Sequence, residues 1–178
     1  MDNSPKIFEL DELYWFLNKK ANTKTKENIY LMTMISRNPR QIVGFDVAYD
    51  KSPNRIQAIV DSAFDAEKYC TDGYLGYIDV VYPGKHLRNV CNKNDTYAVE
   101  GINADLRHYI PVLARRSRCF ARKLETLHAV IDVFVEAYNK FGIAKHKYQQ
   151  LKENGEAPFS LVVFLYAFVC PLLIYLYP

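Results

Sequence analysis

Ile7-Phe8-Glu9-Leu10-Asp11-Glu12-Leu13-Tyr14-Trp15-Phe16-Leu17 has the apolar content of a buried β-strand, with three carboxylates in its middle. Side chains alternate between the two faces of a strand. Leu10 and Glu12 therefore share one face, and Glu9, Asp11 and Leu13 share the other. Acids in such a strand are costly to bury unless they are paired or bind a cation. The stretch is either an edge strand or the floor of a site, and the remainder of the chain decides which.

The neighbouring segments read as a meander. Residues 18–28 are polar, rich in Lys, Thr and Asn, and suit a hairpin connection. Residues 29–35 form a second strand, Arg37-Asn38-Pro39-Arg40 a turn, and residues 41–49 a third strand. The period then changes. Ser52 suits an N-cap and Pro53 a first helical position, and Ile56, Ile59, Val60 and Ala63 recur at helical spacing, so the spacing predicts a helix over 53–65. Residues 68–71 make a short strand that ends at Asp72-Gly73. Residues 75–82 suit a short helix stopped by Pro83-Gly84, and 86–90 another short strand. A helix follows over 97–114, capped by Asp95 or Thr96 and interrupted by Pro111. The last helix spans 121–141, with Leu124, Leu127, Ile131, Phe134, Val135 and Tyr138 as its apolar stripe and Gly142 at the C-cap position. Strands first and alternation later predict an α/β fold, a mixed sheet flanked by helices.

Composition narrows the class. The chain has 178 residues, 49% hydrophobic and 14% aromatic, which supports a real core and excludes a disordered chain. A net charge of +3 does not by itself indicate nucleic acid; only local clustering would. Cys70, Cys91, Cys119 and Cys170 form no C-x-x-C pair, so no structural zinc site is expected. Scattered thiols, with no apolar targeting core at residues 1–6, fit a reducing cytosol. Residues 157–178 carry no charge and reach the length of a membrane span. Pro171 divides the run and no basic anchor follows it, so a packed helix or the aberrant end of a truncated gene is favoured there, with a span as the less favoured alternative.

Three acids then acquire a common meaning. Asp72 alone is an Asp-Gly turn, and Glu100 alone is a carboxylate favoured by a helix N-terminus. With Asp11 in the first strand, Asp72 at the end of a later strand and Glu100 on the next helix, they can converge at one edge of a mixed sheet. Three acids there repel one another unless cations bind, and oxygen ligands suit Mg²⁺ or Mn²⁺. Two such ions, about 3.5–4 Å apart, would activate a water or hydroxyl and stabilise the leaving oxygen of a phosphodiester. Asn103 and Arg107 share the helical face of Glu100 and are candidate DNA contacts beside it. Residues 106–123 contain Arg107, Arg115, Arg116, Arg118, Arg122 and Lys123, with His108 and no acid, a one-signed run suited to phosphate-backbone contact.

Four blocks carry a family resemblance: Glu9-Leu10-Asp11-Glu12-Leu13-Tyr14-Trp15-Phe16; Thr71-Asp72-Gly73-Tyr74 with Tyr77; Val99-Glu100-Gly101-Ile102-Asn103-Ala104-Asp105-Leu106-Arg107; and Leu113-Ala114-Arg115-Arg116-Ser117-Arg118-Cys119-Phe120. In this order and spacing they resemble the insertion-sequence-one family of DDE transposases. The resemblance covers residues 6–145. It implies a ribonuclease-H-like catalytic domain over 1–145, with 146–178 as a C-terminal extension bearing the apolar tail. It also implies Asp11, Asp72 and Glu100 as a catalytic triad holding two Mg²⁺ or Mn²⁺ ions. The expected activity is metal-dependent DNA cleavage and strand transfer, with transposon ends and target DNA as partners, a homo-oligomer as the assembly, and the cytoplasmic nucleoid as the location. Family members carry an N-terminal zinc-ribbon and helix-turn-helix region, whereas this sequence begins almost at the first strand. The alternative expectation is therefore an inactive DNA-binding or dimerising remnant that modulates a full-length transposase. Glu9 and Glu12 are expected to be supporting or solvated, with Glu9 the better candidate to support Asp11 because it shares its face. His86 is a candidate group near the scissile phosphate.

Overall fold

The computed structural model describes residues 6–17, 27–89, 95–114 and 121–141. The chain divides into two compact units, Met1–Leu124 and Glu125–Pro178. The first holds a five-stranded sheet built from β1 (Ile7–Leu17), β2 (Glu27–Ser36), β3 (Gln41–Ala48), β4 (Lys68–Thr71) and β5 (Lys85–Arg88). The strand order is β3-β2-β1-β4-β5. β1 pairs antiparallel with β2, and β2 with β3, as the meander predicts. β1 pairs parallel with β4, and β4 with β5. This mixed α/β sheet is consistent with a ribonuclease-H-like fold.

Strand alternation decides which helix meets which face. Phe8 and Leu10 join Met32, Met34, Ile56 and Ile59 in one core cluster beneath α1 (Pro53–Ser62). Glu9 and Asp11 point the other way, towards α2 (Tyr97–Tyr109). Burial of the α1 stripe at Ile56, Ile59 and Val60 is nearly complete, which is what fixes an otherwise short helix. The α1–β4 link is tight. Gly84 sits where an added Cβ would overlap the Ala66 carbonyl oxygen and come within 2.7 Å of the Glu67 carbonyl oxygen. Gly84→Ala is therefore expected to cost roughly 1–3 kcal/mol through overpacking against backbone that cannot turn aside. Urea denaturation checks this as a lower midpoint with unchanged slope.

Several boundaries differ from those the sequence predicts, each for a physical reason. α1 stops at Ser62, three residues early, because Ala63 is already extended. Ser52 occupies the N-cap without capping through its side chain, and its N–H donates to Asp50 Oδ1 instead. The segment expected as a helix over 75–82 is a single 3-10 turn, Leu75–Asp79. The helix expected over 97–114 ends at Tyr109. Ile110 is extended, as the residue before a proline must be, and Pro111–Leu113 form a separate 3-10 turn. In the second unit, α3 (Leu124–Phe141) buries Leu127, Ile131, Phe134, Ala137 and Tyr138 along one stripe. No helix among the described residues is long and apolar enough to cross a membrane. The apolar stretch 157–178 lies outside the described residues, as do Cys91, Cys119 and Cys170.

Candidate metal centre

Asp11 sits one residue beyond the last β1–β4 pair, Leu10↔Thr71. Asp72 is the first residue after β4, so the parallel register sets these two acids side by side. The Asp72 carboxylate is fixed locally: its Oδ1 accepts the Tyr74 N–H at 2.8 Å. The Asp-Gly turn and the functional position are thus one feature. Carboxylate oxygens of Asp11, Glu12 and Asp72 all lie within 4.8 Å of one another.

Asp11 is held from α2 and β2. Asn103 Nδ2 donates to Asp11 Oδ2 at 2.8 Å, and Thr33, opposite Asp11 in the sheet, donates its hydroxyl to Asn103 Oδ1 at 3.2 Å. Asn103 is only 5% exposed. The sequence suggests a DNA contact for Asn103, but its amide is occupied at both ends inside the protein, so it orients Asp11. Glu100 lies in the first turn of α2 and is exposed, outside the close set of three oxygens. Its charge still reaches Asp11. Burial raises the Asp11 carboxyl above the usual carboxylate range, hydrogen bonds from the Glu12 backbone and Asn103 oppose this, and the charges of Asp72 and Glu100 add to the rise.

Glu9 and Glu12 are not solvated. Glu9 is 0% exposed. Its Oε2 accepts the N–H groups of Ala98 and Val99, each at 2.8 Å, and its Oε1 pairs with the Arg37 guanidinium. Arg37 also donates to the Asp95 carbonyl at 2.8 Å. The cap of α2 is therefore supplied by β1, whereas the Thr96 side chain makes no cap bond and Asp95 accepts from Asn89 instead. One carboxylate joins the strand of Asp11 to the helix of Glu100. Local sequence gives no sign of a contact spanning 89 residues.

Glu12 lies on the α1 face, where its side chain is 6% exposed. Lys51 approaches its Oε1 at 3.6 Å, and Tyr77 hydrogen-bonds it. Burial pushes the Glu12 carboxyl up to about 7; Lys51 opposes the shift, and Asp72 and Asp11 increase it. The folded protein therefore binds a proton at Glu12 that the unfolded chain has released above pH 4.5. Stability of the metal-free protein is expected to be highest below about pH 4.5 as far as this group is concerned. It should fall as pH rises towards about 7, by on the order of 3 kcal/mol. Denaturant titrations from pH 5 to 8 check this, and Glu12→Gln should flatten that part of the profile. Lys51 carried no signal in the sequence: it sits in the β3–α1 connection, its ammonium 3.6 Å from the centroid of the Tyr74 ring.

The donor set suits a hard cation. It consists of oxygens only, and three of its carboxylates crowd one another at the open end of a parallel strand pair. A model of the IS1 transposase family matches residues 7–141, from the first residue of β1 to the last of α3. The chain belongs to the IS1 transposase family. A comparison with curated proteins gives no match.

The remaining residues expected of an IS1 transposase are placed unevenly. Arg122 and Lys123 are exposed just ahead of α3, and Arg107 is half-buried in the last turn of α2. Arg115, Arg116 and Arg118 lie outside the described residues. His86 Nε2 is 2.9 Å from the Thr71 hydroxyl, and its ring stacks on Tyr82 at 4.2 Å. Burial, then the nearby Arg88, lowers the His86 pKa and favours the neutral ring. His86 thus stands next to the residue preceding Asp72.

Proposed function

We propose that this IS1-family chain catalyses metal-dependent cleavage of DNA and transfer of the freed 3′-hydroxyl to a target strand, with Asp11, Asp72 and Glu100 as the metal-binding triad. The observation that carries this is the convergence of Asp11 and Asp72 at the end of the β1–β4 pair, beneath the helix that bears Glu100. Burial is the main cause that raises the Asp11 carboxyl, and the smaller repulsion from Asp72 and Glu100 that adds to it is the kind a divalent cation relieves. Two Mg²⁺ or Mn²⁺ ions bound there would activate the attacking oxygen and neutralise charge on the leaving oxygen.

The chain's own residues supply placement. Asn103 turns the Asp11 carboxylate and Thr33 holds Asn103 in that orientation. The Tyr74 N–H fixes Asp72. Glu9 anchors the first turn of α2, and so the starting point of Glu100. Arg107, Arg115, Arg116, Arg118, Arg122 and Lys123 are the candidate contacts to the DNA backbone; such contacts position the duplex without reading its sequence. The catalytic part spans 1–145, and a homo-oligomer would pair two element ends.

The test is a supercoiled plasmid incubated with the purified chain and Mn²⁺, followed by labelled oligonucleotides to detect joining. Nicking that requires the ion, with joined product, is expected. Metal-independent binding without either product would instead favour a silent DNA-binding protein.

A further inference from the structure

Glu12 ought not to be near Asp11. Strand alternation sends it to the opposite face, beside Leu10 and the α1 core. The carboxylate oxygens of Asp11, Glu12 and Asp72 nevertheless lie within 4.8 Å of one another. The sheet explains this. β4 accompanies β1 only as far as Leu10↔Thr71 and then leaves it at Asp72-Gly73. Among the described residues, the edge of β1 has no parallel neighbour beyond that pair. Side chains from both faces can reach round the edge and meet in the notch.

The state of Glu12 in that notch is unusual for a buried carboxylate. Its side chain is 6% exposed, and its Oε1 makes no hydrogen bond. The cation near that oxygen is the Lys51 ammonium at 3.6 Å, beyond good hydrogen-bond length. Lys51 is also engaged by the Tyr74 ring face at 3.6 Å, and its carbonyl accepts the Tyr74 hydroxyl at 3.2 Å. A buried carboxylate that leaves one oxygen without a hydrogen bond and brings an oxygen within 4.8 Å of two further carboxylates is costly unless a stronger cation completes it.

We propose, resting on the metal-centre reading of these acids, that Glu12 is a fourth metal-binding carboxylate, joining Asp11 and Asp72 from the opposite face of β1. Lys51 holds Glu12 in place while no divalent ion is bound, and competes with that ion for it. The competing account is that Glu12 serves only as the ion-pair partner of Lys51.

Mn²⁺ binding to the full chain separates the two, measured by the electron paramagnetic resonance signal of free Mn²⁺. Glu12→Gln, which keeps the shape and the Tyr77 bond, is expected to weaken Mn²⁺ binding about tenfold or more. Glu12→Asp keeps the charge but shortens the reach and should also weaken it; it serves if the Gln variant does not fold, as judged by circular dichroism. Lys51→Met should bind Mn²⁺ at least as tightly as the unaltered chain. Unchanged Mn²⁺ binding in the folded Glu12 variants would overturn the assignment. So would a loss in Lys51→Met as large as in Glu12→Gln, because Glu12 would then act only through Lys51. Asp72→Asn is the control for the underlying site. If it too leaves Mn²⁺ binding unchanged, the metal-centre reading fails rather than the role of Glu12 alone.

Discussion

Asp72→Asn should reduce Mn²⁺-dependent nicking to the level measured in EDTA while leaving DNA binding intact or tighter. The two halves of this result have separate causes. Asn keeps the oxygen that accepts the Tyr74 N–H, so the turn after β4 survives. It removes one of the charges crowded against Asp11 and Glu12, and with it a charged oxygen that a hard cation prefers. The loss should therefore fall on the metal-dependent step, with little effect on folding. DNA binding should hold or improve because a negative charge that repels phosphate has gone. Plasmid nicking and fluorescence anisotropy on one preparation read both halves. Undiminished nicking would remove Asp72 from the catalytic set.

The largest expected effect on stability is at Glu9. Glu9→Ala takes from the Arg37 guanidinium its buried carboxylate partner, leaving it Asp95, and uncaps the N–H groups of Ala98 and Val99. Breaking a buried pair by removing one partner costs roughly 3–5 kcal/mol. Loss of an N-cap costs about 1 kcal/mol where measured singly. A fall in Tm of roughly 10 °C is expected from thermal melts followed by circular dichroism. Glu9→Gln should fall by less, since its carbonyl oxygen can still accept from the α2 N-terminus while losing the charge that Arg37 requires. An equal fall for Ala and Gln would mean that the charge, not the cap, carries the effect. The consequence for function runs through position: Glu9 sets where α2 begins on β1, and Glu100 and Asn103 ride on α2.

The parts legible in the sequence were those written in short-range pattern. The alternation within Ile7–Leu17 marked β1, the turn at residues 37–40 marked the meander, and the Asp-Gly pair marked the end of β4. The juxtaposition of Asp11 and Asp72 was expected only as convergence at one edge of a mixed sheet; the parallel pairing of β1 with β4 is what brings it about. What the sequence did not disclose depends on contacts between distant segments. The cap of α2 comes from Glu9, not from Thr96 or Asp95, because a buried carboxylate with two converging N–H groups outcompetes a local side chain. Asn103 shares the helical face of Glu100 as its spacing requires, yet it faces Asp11 and Thr33, not solvent. Glu12 was assigned to the far face correctly, but only the early departure of β4 reveals that the far face opens into the same notch. Helix ends were misjudged where the apolar period ran past the last satisfied turn, as at Ser62 and Tyr109.

Asp11 and Asp72 are expected to hold a divalent cation between them. An anomalous-difference map from crystals of the full chain soaked in Mn²⁺ tests this. A peak bonded to both the Asp11 and Asp72 carboxylates is expected, with occupancy lost in Asp72→Asn. A map with no peak there, or with Mn²⁺ only on surface acids such as Asp46 and Asp50, would contradict it.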